Sequence, residues 1–128
     1  KLIEGNAVTI VATGHLVWES IEAAKVLNEL GISAEVINIH TIKPLDEKII
    51  LESVSKTKCI VSAEEHNYLG GLGESISRVL SKNMPLPQEF VATKDTFGES
   101  GTPAELMKKY GLNSDSIVEK VKKVINRK

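Results

Sequence analysis

The chain alternates between short runs of aliphatic and β-branched residues and longer segments whose apolar positions recur every three or four residues. Val8-Thr9-Ile10-Val11-Ala12-Thr13, Ser33 to Ile39 and Cys59-Ile60-Val61-Ser62-Ala63 are the strongest runs, and Glu89-Phe90-Val91-Ala92 is a last, weaker one. Short apolar runs bounded by turn residues predict strands covered on both faces, as in a parallel sheet. Leu2-Ile3-Glu4 is separated from the first run by Gly5-Asn6, a pair suited to a tight turn, and is expected as an antiparallel edge strand.

The intervening segments read as helices. From Leu16 to Leu30, Leu16, Ala23, Leu27 and Leu30 fall on one side and Glu19, Glu22, Lys25 and Glu29 away from it, with Gly31 as the stop. Asp46 is placed as an N-cap, with Leu45 and Ile50 as a hydrophobic staple, so a helix is expected to about Ser55, with Lys56-Thr57-Lys58 as connector. Glu74 to Leu80 predicts a helix with Ile76, Val79 and Leu80 inward, and Asn83 to Pro87 a stiff turn. Thr102-Pro103-Ala104-Glu105 has the spacing of a helix start, and Gly111 ends that helix. A final amphipathic helix begins at about Ser114 and carries Ile117, Val118, Val121, Val124 and Ile125. Strands and helices alternating over short loops imply right-handed parallel crossovers, hence an α/β fold: a three-layer α/β/α sandwich, as one domain over residues 1–128.

Composition narrows the partners more than the fold. With 128 residues, 41% of them apolar, and a formal charge of -1, the chain has no bulk attraction for nucleic acid or an anionic membrane. No apolar run approaches the roughly 20 residues that cross a bilayer. Cys59 is the lone cysteine and lies in a predicted strand, which excludes a disulfide framework and suits a reducing compartment, so a cytoplasmic protein is expected. Lys1 in place of a start Met is expected of a piece cut from a longer chain, or of one that has lost its start.

Candidate chemistry collects at strand ends. His15, His40 and His66 each follow a predicted strand closely, and a parallel sheet puts those ends at one edge with Glu64, Glu65 and the loop Asp95 to Gly101. In open α/β sheets that edge is where ligands and partners are met. The histidines and glutamates lack local metal-ligand spacing, so no metal is expected. Glu64 or Glu65 beside His66 could serve acid–base chemistry, but neighbouring strand residues point to opposite faces, which favours a hydrogen-bonding or interface role. Gly70-Gly71-Leu72-Gly73 could cradle an anion at a helix start; it stands too far from its strand for a dinucleotide fingerprint, and a close backbone crossing is the plainer reading. Ser62 and Ser100 have no nucleophile elbow around them, and Cys59 reads as an inert buried thiol. Trp18 falls among Glu22, Lys25 and Glu29 on the face turned to water, near Val17 and Ile21, and is expected to anchor a contact with another domain or subunit. No residue is assigned to catalysis, cofactor or metal; the candidates for an interface or active-site edge are His15, Trp18, His40, Glu64, Glu65, His66, Gly70, Gly71 and Gly73.

Several short motifs, in order, carry a resemblance: Val8 to Gly14, Thr41-Ile42-Lys43-Pro44-Leu45-Asp46, Glu64-Glu65-His66 with Gly70-Gly71-Leu72-Gly73, Asp95-Thr96-Phe97-Gly98-Glu99-Ser100-Gly101 and Tyr110-Gly111-Leu112. Together they cover nearly the whole chain, which resembles the carboxyl-terminal domain of transketolase and its relatives among thiamine-diphosphate enzymes. Phe97-Gly98-Glu99-Ser100 looks more like transketolase than like deoxyxylulose-phosphate synthase or the β subunit of 2-oxoacid dehydrogenases, which share the earlier motifs. The resemblance implies a five-stranded mixed sheet, mostly parallel with one antiparallel edge strand. It implies transfer of a two-carbon ketol unit between sugar phosphates by the complete enzyme, with thiamine diphosphate and magnesium held between two other domains. The chain lacks their Gly-Asp-Gly motif, and Arg78 and Arg127, the only arginines, sit in predicted surface helices. By itself the chain is therefore expected to bind no cofactor and to be catalytically silent. Its implied role is support for amino-terminal cofactor-binding domains or a separate subunit, in a homodimer or heterotetramer. The alternatives are the same domain of the two related enzymes, or an independent anion-binding α/β module.

Overall fold

The computed structural model describes residues 1–40, 44–64, 71–92 and 113–128. Eight elements follow in order: β1 (Val8–Ala12), α1 (Leu16–Glu29), β2 (Ala34–Asn38), α2 (Glu47–Thr57), β3 (Ile60–Ala63), α3 (Leu72–Asn83), β4 (Gln88–Val91) and α4 (Ser114–Asn126). The strands form one sheet in the order β2-β1-β3-β4, and every pairing is parallel. Parallel neighbours need crossovers, and the helices supply them.

The period-two alternation of the strands divides the core into two layers. Val8, Ile10 and Ala12 face α1 and α4, packing with Leu16, Ala23, Leu27, Ile117, Val121 and Val124. Val11, Ile37 and Ile60 face the opposite way, against Ile50 and Val54 of α2 and Leu72, Ile76 and Leu80 of α3. The expected three-layer α/β/α arrangement is therefore present.

The sheet differs from expectation in strand number. Four parallel strands are present among the described residues, and the expected fifth, antiparallel one is reduced to a single bridge between Ile3 and Val36. Leu2 N–H donates to the Val36 carbonyl at 2.8 Å and Val36 N–H to the Ile3 carbonyl at 2.9 Å. The chain then leaves the edge at Gly5, which passes so close to β2 that a Cβ there would lie 2.3 Å from the Ala34 carbonyl carbon. A turn that tight leaves no room to extend the ladder.

Helix ends also move: α3 begins at Leu72 rather than Glu74 and runs on to Asn83, which was expected in the following turn. α1 stops at Glu29, and Leu30, placed with the core by its period, is 54% exposed. Ile32 N–H bonds the Leu27 carbonyl and Gly31 N–H the Asn28 carbonyl, with Gly31 at φ +80°, so a Schellman turn lifts Leu30 off the sheet. α2 runs on through Thr57 and ends at Lys58, which takes the left-handed conformation at φ 67°. The anticipated N-cap is present, since the Asp46 carboxylate accepts the Ile49 N–H at 3.3 Å. The helix expected from Thr102 to Gly111 lies outside the described residues.

Candidate functional site

The parallel sheet sends the carboxyl ends of its strands to one edge. His15 follows β1, His40 follows β2 and Glu64 follows β3, so these three candidates share that edge, as their positions after apolar runs predicted. His15 and His40 are exposed there, and His40 Nε2 lies 3.4 Å from Asn38 Nδ2. Glu65, His66, Gly70 and the loop Asp95 to Gly101 lie outside the described residues.

Glu64 has a definite task. It is only 3% exposed, and its carboxylate accepts the backbone N–H of Leu72 at 3.0 Å and of Gly73 at 2.6 Å. These are first-turn amides of α3, which have no partner inside their own helix. A carboxylate there also meets the positive end of the helix dipole. Glu64 thus closes the β3–α3 connection on itself and occupies the place where an external anion would bind. The sequence put Glu64 at this edge, but the eight-residue spacing to Leu72 matches no familiar capping pattern, so its partner was hidden.

The glycines at that helix start are explained by proximity. Gly71 takes the N-cap position with an extended backbone. A Cβ on Gly73 would come 2.5 Å from the Phe90 ring and 2.9 Å from Ser62 Oγ, which leaves space for hydrogen only. The close-crossing reading of this loop therefore holds for Gly73, and its cause is the β4 aromatic seated beside α3.

These features do not fit a diphosphate–metal group. The helix amino-terminus is taken by an internal carboxylate that repels phosphate, and no cluster of three or more histidine, cysteine, aspartate or glutamate side chains gathers among the described residues. Cys59 is fully buried, with Sγ 3.4 Å from the Ala7 carbonyl, and burial pushes its thiol up, away from the reactive thiolate. No helix among the described residues is long and apolar enough to cross a membrane.

Trp18 lies in the first turn of α1, near the carboxyl edge, and is 60% exposed. The ring is thus turned away from this chain's own core, as its angular position predicted. Two clefts open between α3 and the outer side of β4; one is lined by Glu74, Ser77, Glu89, Phe90 and Lys120. Its charges are already matched: Glu74 pairs with Arg78 at 3.2 Å, and Glu89 with Arg127 and, near 3.8 Å, Lys120.

Sequence reasoning overlooked one charged residue. Glu35 sits in β2 with a fully buried side chain, and its Oε1 accepts Lys56 Nζ at 2.6 Å and Gly5 N–H at 3.2 Å. Its strand partner Thr9 hydrogen-bonds Ser53 at 2.7 Å and Thr57 at 2.6 Å on α2. The available signal was a lone glutamate inside the run Ala34 to Ile39. This polar seam lies towards the amino ends of the strands, away from the histidine edge.

Comparison with known proteins gives a consistent result. The family model described as "Transketolase, C-terminal domain" matches residues 1–117. The 6-deoxy-6-sulfo-D-fructose transketolase subunit SqwH of Clostridium sp. is 44% identical over 127 residues, which is 99% of this chain and 39% of that protein. A 1-deoxy-D-xylulose-5-phosphate synthase of Caldanaerobacter subterraneus is 38% identical over 121 residues, 94% of this chain and 20% of that protein. A solved split-gene transketolase, described as an inactive β4 tetramer, superposes with a TM-score of 0.93 at 43% identity, over 98% of this chain and 41% of that one. The chain thus spans between one fifth and about two fifths of the length of these relatives.

Proposed function

We propose, from the premise that this chain belongs to the transketolase C-terminal domain family, that it is the assembly section of a thiamine-diphosphate-dependent transketolase. Family relatives are thiamine-diphosphate enzymes, among them split transketolase subunits. The complete enzyme would move a ketol unit between sugar phosphates, with thiamine diphosphate and magnesium held by its amino-terminal sections. Completed in the cytoplasm as a homodimer or heterotetramer, it would use this chain as a single domain that supports the cofactor-binding parts.

The observation that carries this reading is Glu64. By spending its carboxylate on Leu72 and Gly73, it fills the anion site at the start of α3 and leaves that helix end to support docking rather than to bind a ligand. The solved relative, described as an inactive β4 tetramer of a split-gene transketolase, supports the same division of labour. In this reading His15, His40 and Trp18, with Glu65, His66, Gly70 and Gly71, face the partner sections, and Glu64 and Gly73 hold the rim in shape.

The test is reconstitution. The chain is mixed with the cofactor-binding section encoded in the same genome, thiamine diphosphate and Mg2+, and ketol transfer from a ketose phosphate to an aldose phosphate is measured. Activity should need both components, and calorimetry should detect no thiamine diphosphate binding by this chain alone. Turnover by the isolated chain would refute the proposal. A second parent, 1-deoxy-D-xylulose-5-phosphate synthase, is favoured by the 38% identity noted above. Formation of 1-deoxy-D-xylulose 5-phosphate with release of CO2, when pyruvate replaces the ketose phosphate as donor and the aldose phosphate is glyceraldehyde 3-phosphate, would select it.

A further inference from the structure

Among the described residues, the exposed large hydrophobics are Leu2, Trp18, Val26 and Leu30, at 49%, 60%, 43% and 54%. Two of them lie on α1 and Leu30 is its C-cap residue, and their spacing is not random. Positions 18, 22, 26 and 30 form one row in steps of four, the row that packs into the groove of a neighbouring helix. The side chains along it are Trp18, Glu22, Val26 and Leu30, so the row is apolar at both ends and interrupted once. The Schellman turn that lifts Leu30 from the core is what completes it.

Charge on the same face is uneven. Glu22 is matched by Lys25 at 3.4 Å, but Glu29 stands in the last turn, where α1 has no basic residue. A carboxylate at a helix carboxyl end is repelled by the helix's own dipole. That end of the row calls for a cation from outside.

We infer that the Trp18–Val26–Leu30 row of α1 seats a helix of the cofactor-binding section, one with apolar residues at i and i+4 and a lysine or arginine opposite Glu29. The inference rests on the assembly reading above and adds the surface and the chemistry of the partner. A second copy of this chain is a poorer occupant. The row is about 18 Å long and a helix about 10 Å wide, so two copies meeting here would bury only a few hundred Å2, against the roughly 1,200 Å2 of a stable interface. Each copy would also bring two carboxylates, Glu22 and Glu29, against the single cation Lys25 on this face. A section that also covers the carboxyl edge next to Trp18 can supply the missing area.

Trp18 is the only tryptophan, so 5-fluorotryptophan labelling gives one 19F resonance. The labelled chain is titrated with the unlabelled cofactor-binding section, thiamine diphosphate and Mg2+, while sedimentation velocity reports assembly separately. The resonance should shift or broaden saturably. The double variant Val26→Gln/Leu30→Gln should weaken binding at least tenfold, and Glu29→Lys about fivefold. Glu29→Lys favours the α1 dipole, so its melting temperature should not fall, which separates docking from folding. Assembly with an unmoved resonance, or with native affinity in both variants, would overturn this surface and leave the assembly reading standing. No assembly at all would overturn both. A shift that depends on the concentration of this chain alone would assign the row to a second copy and overturn the inference.

Discussion

Replacing Glu35 by glutamine isolates the fully buried charge of β2. Burial pushes this carboxyl up, but hydrogen bonds from Lys56, the Ser53 hydroxyl and the Gly5 N–H, with the Lys56 charge, outweigh it and bring the pKa from an ordinary 4.5 to about 2. A carboxyl whose folded pKa lies below its unfolded one stabilises the fold above the unfolded value. That contribution is complete above pH 4.5 and is lost as pH falls from there towards 2. At about 1.36 kcal/mol per pH unit it amounts to about 3 kcal/mol at low salt. Lys56 is 43% exposed and Lys1, 3.7 Å away, is 34% exposed, so salt should shrink the effect. Urea unfolding of native protein and Glu35→Gln at pH 7, 4, 3 and 2.5 measures it, because other carboxylates titrate alike in both. The stability gap should be about 3 kcal/mol at pH 7 and close by about pH 2. A gap of the same size at pH 7 and 2.5 would show that lost packing, not charge, explains the substitution.

Three further substitutions probe the site and its frame. Glu64→Gln leaves one acceptor for two first-turn amides and removes their charge, so stability should fall by about 2–3 kcal/mol and the Leu72 and Gly73 amide resonances should move most; unmoved amides would show that another group holds them. Gly73→Ala forces the Phe90 ring aside and should cost about 1–3 kcal/mol in thermal unfolding, whereas Gly73→Ala combined with Phe90→Leu should recover part of it; no recovery would place the strain elsewhere. Asp46→Ala removes the α2 cap and should cost about 1 kcal/mol, with Asp46→Ser close to native; equal losses would assign the cost to the lost carboxylate charge and not to the cap hydrogen bond.

Much of the architecture was legible because it depends on local pattern. Ile117, Val121 and Val124 share a helical face whatever they pack against, and the Val8 and Cys59 runs are too apolar for anything but covered strands. Asp46 was readable as a cap because its partner is three residues away. His15, His40 and Glu64 could be gathered at one edge from topology alone, since parallel strands share a direction. Trp18 declared its exposure by angular position within α1.

What stayed hidden depends on contacts between distant positions. Leu30 kept the core period, but the Gly31 turn ended the helix before that period could act. Leu2 to Glu4 had the composition of a strand, and only the approach of Gly5 to Ala34 limited it to one bridge. Glu35 reads as an anomaly until Lys56, 21 residues later, arrives beside it. The sequence by itself determined the four strands of the sheet, the helices α1 to α4 and the faces they bury, because periodicity is a property of neighbours along the chain. Tertiary structure alone decided that Glu64 closes α3 and that Gly73 must be bare beside Phe90. Those are distances between separate elements, and no local pattern encodes them.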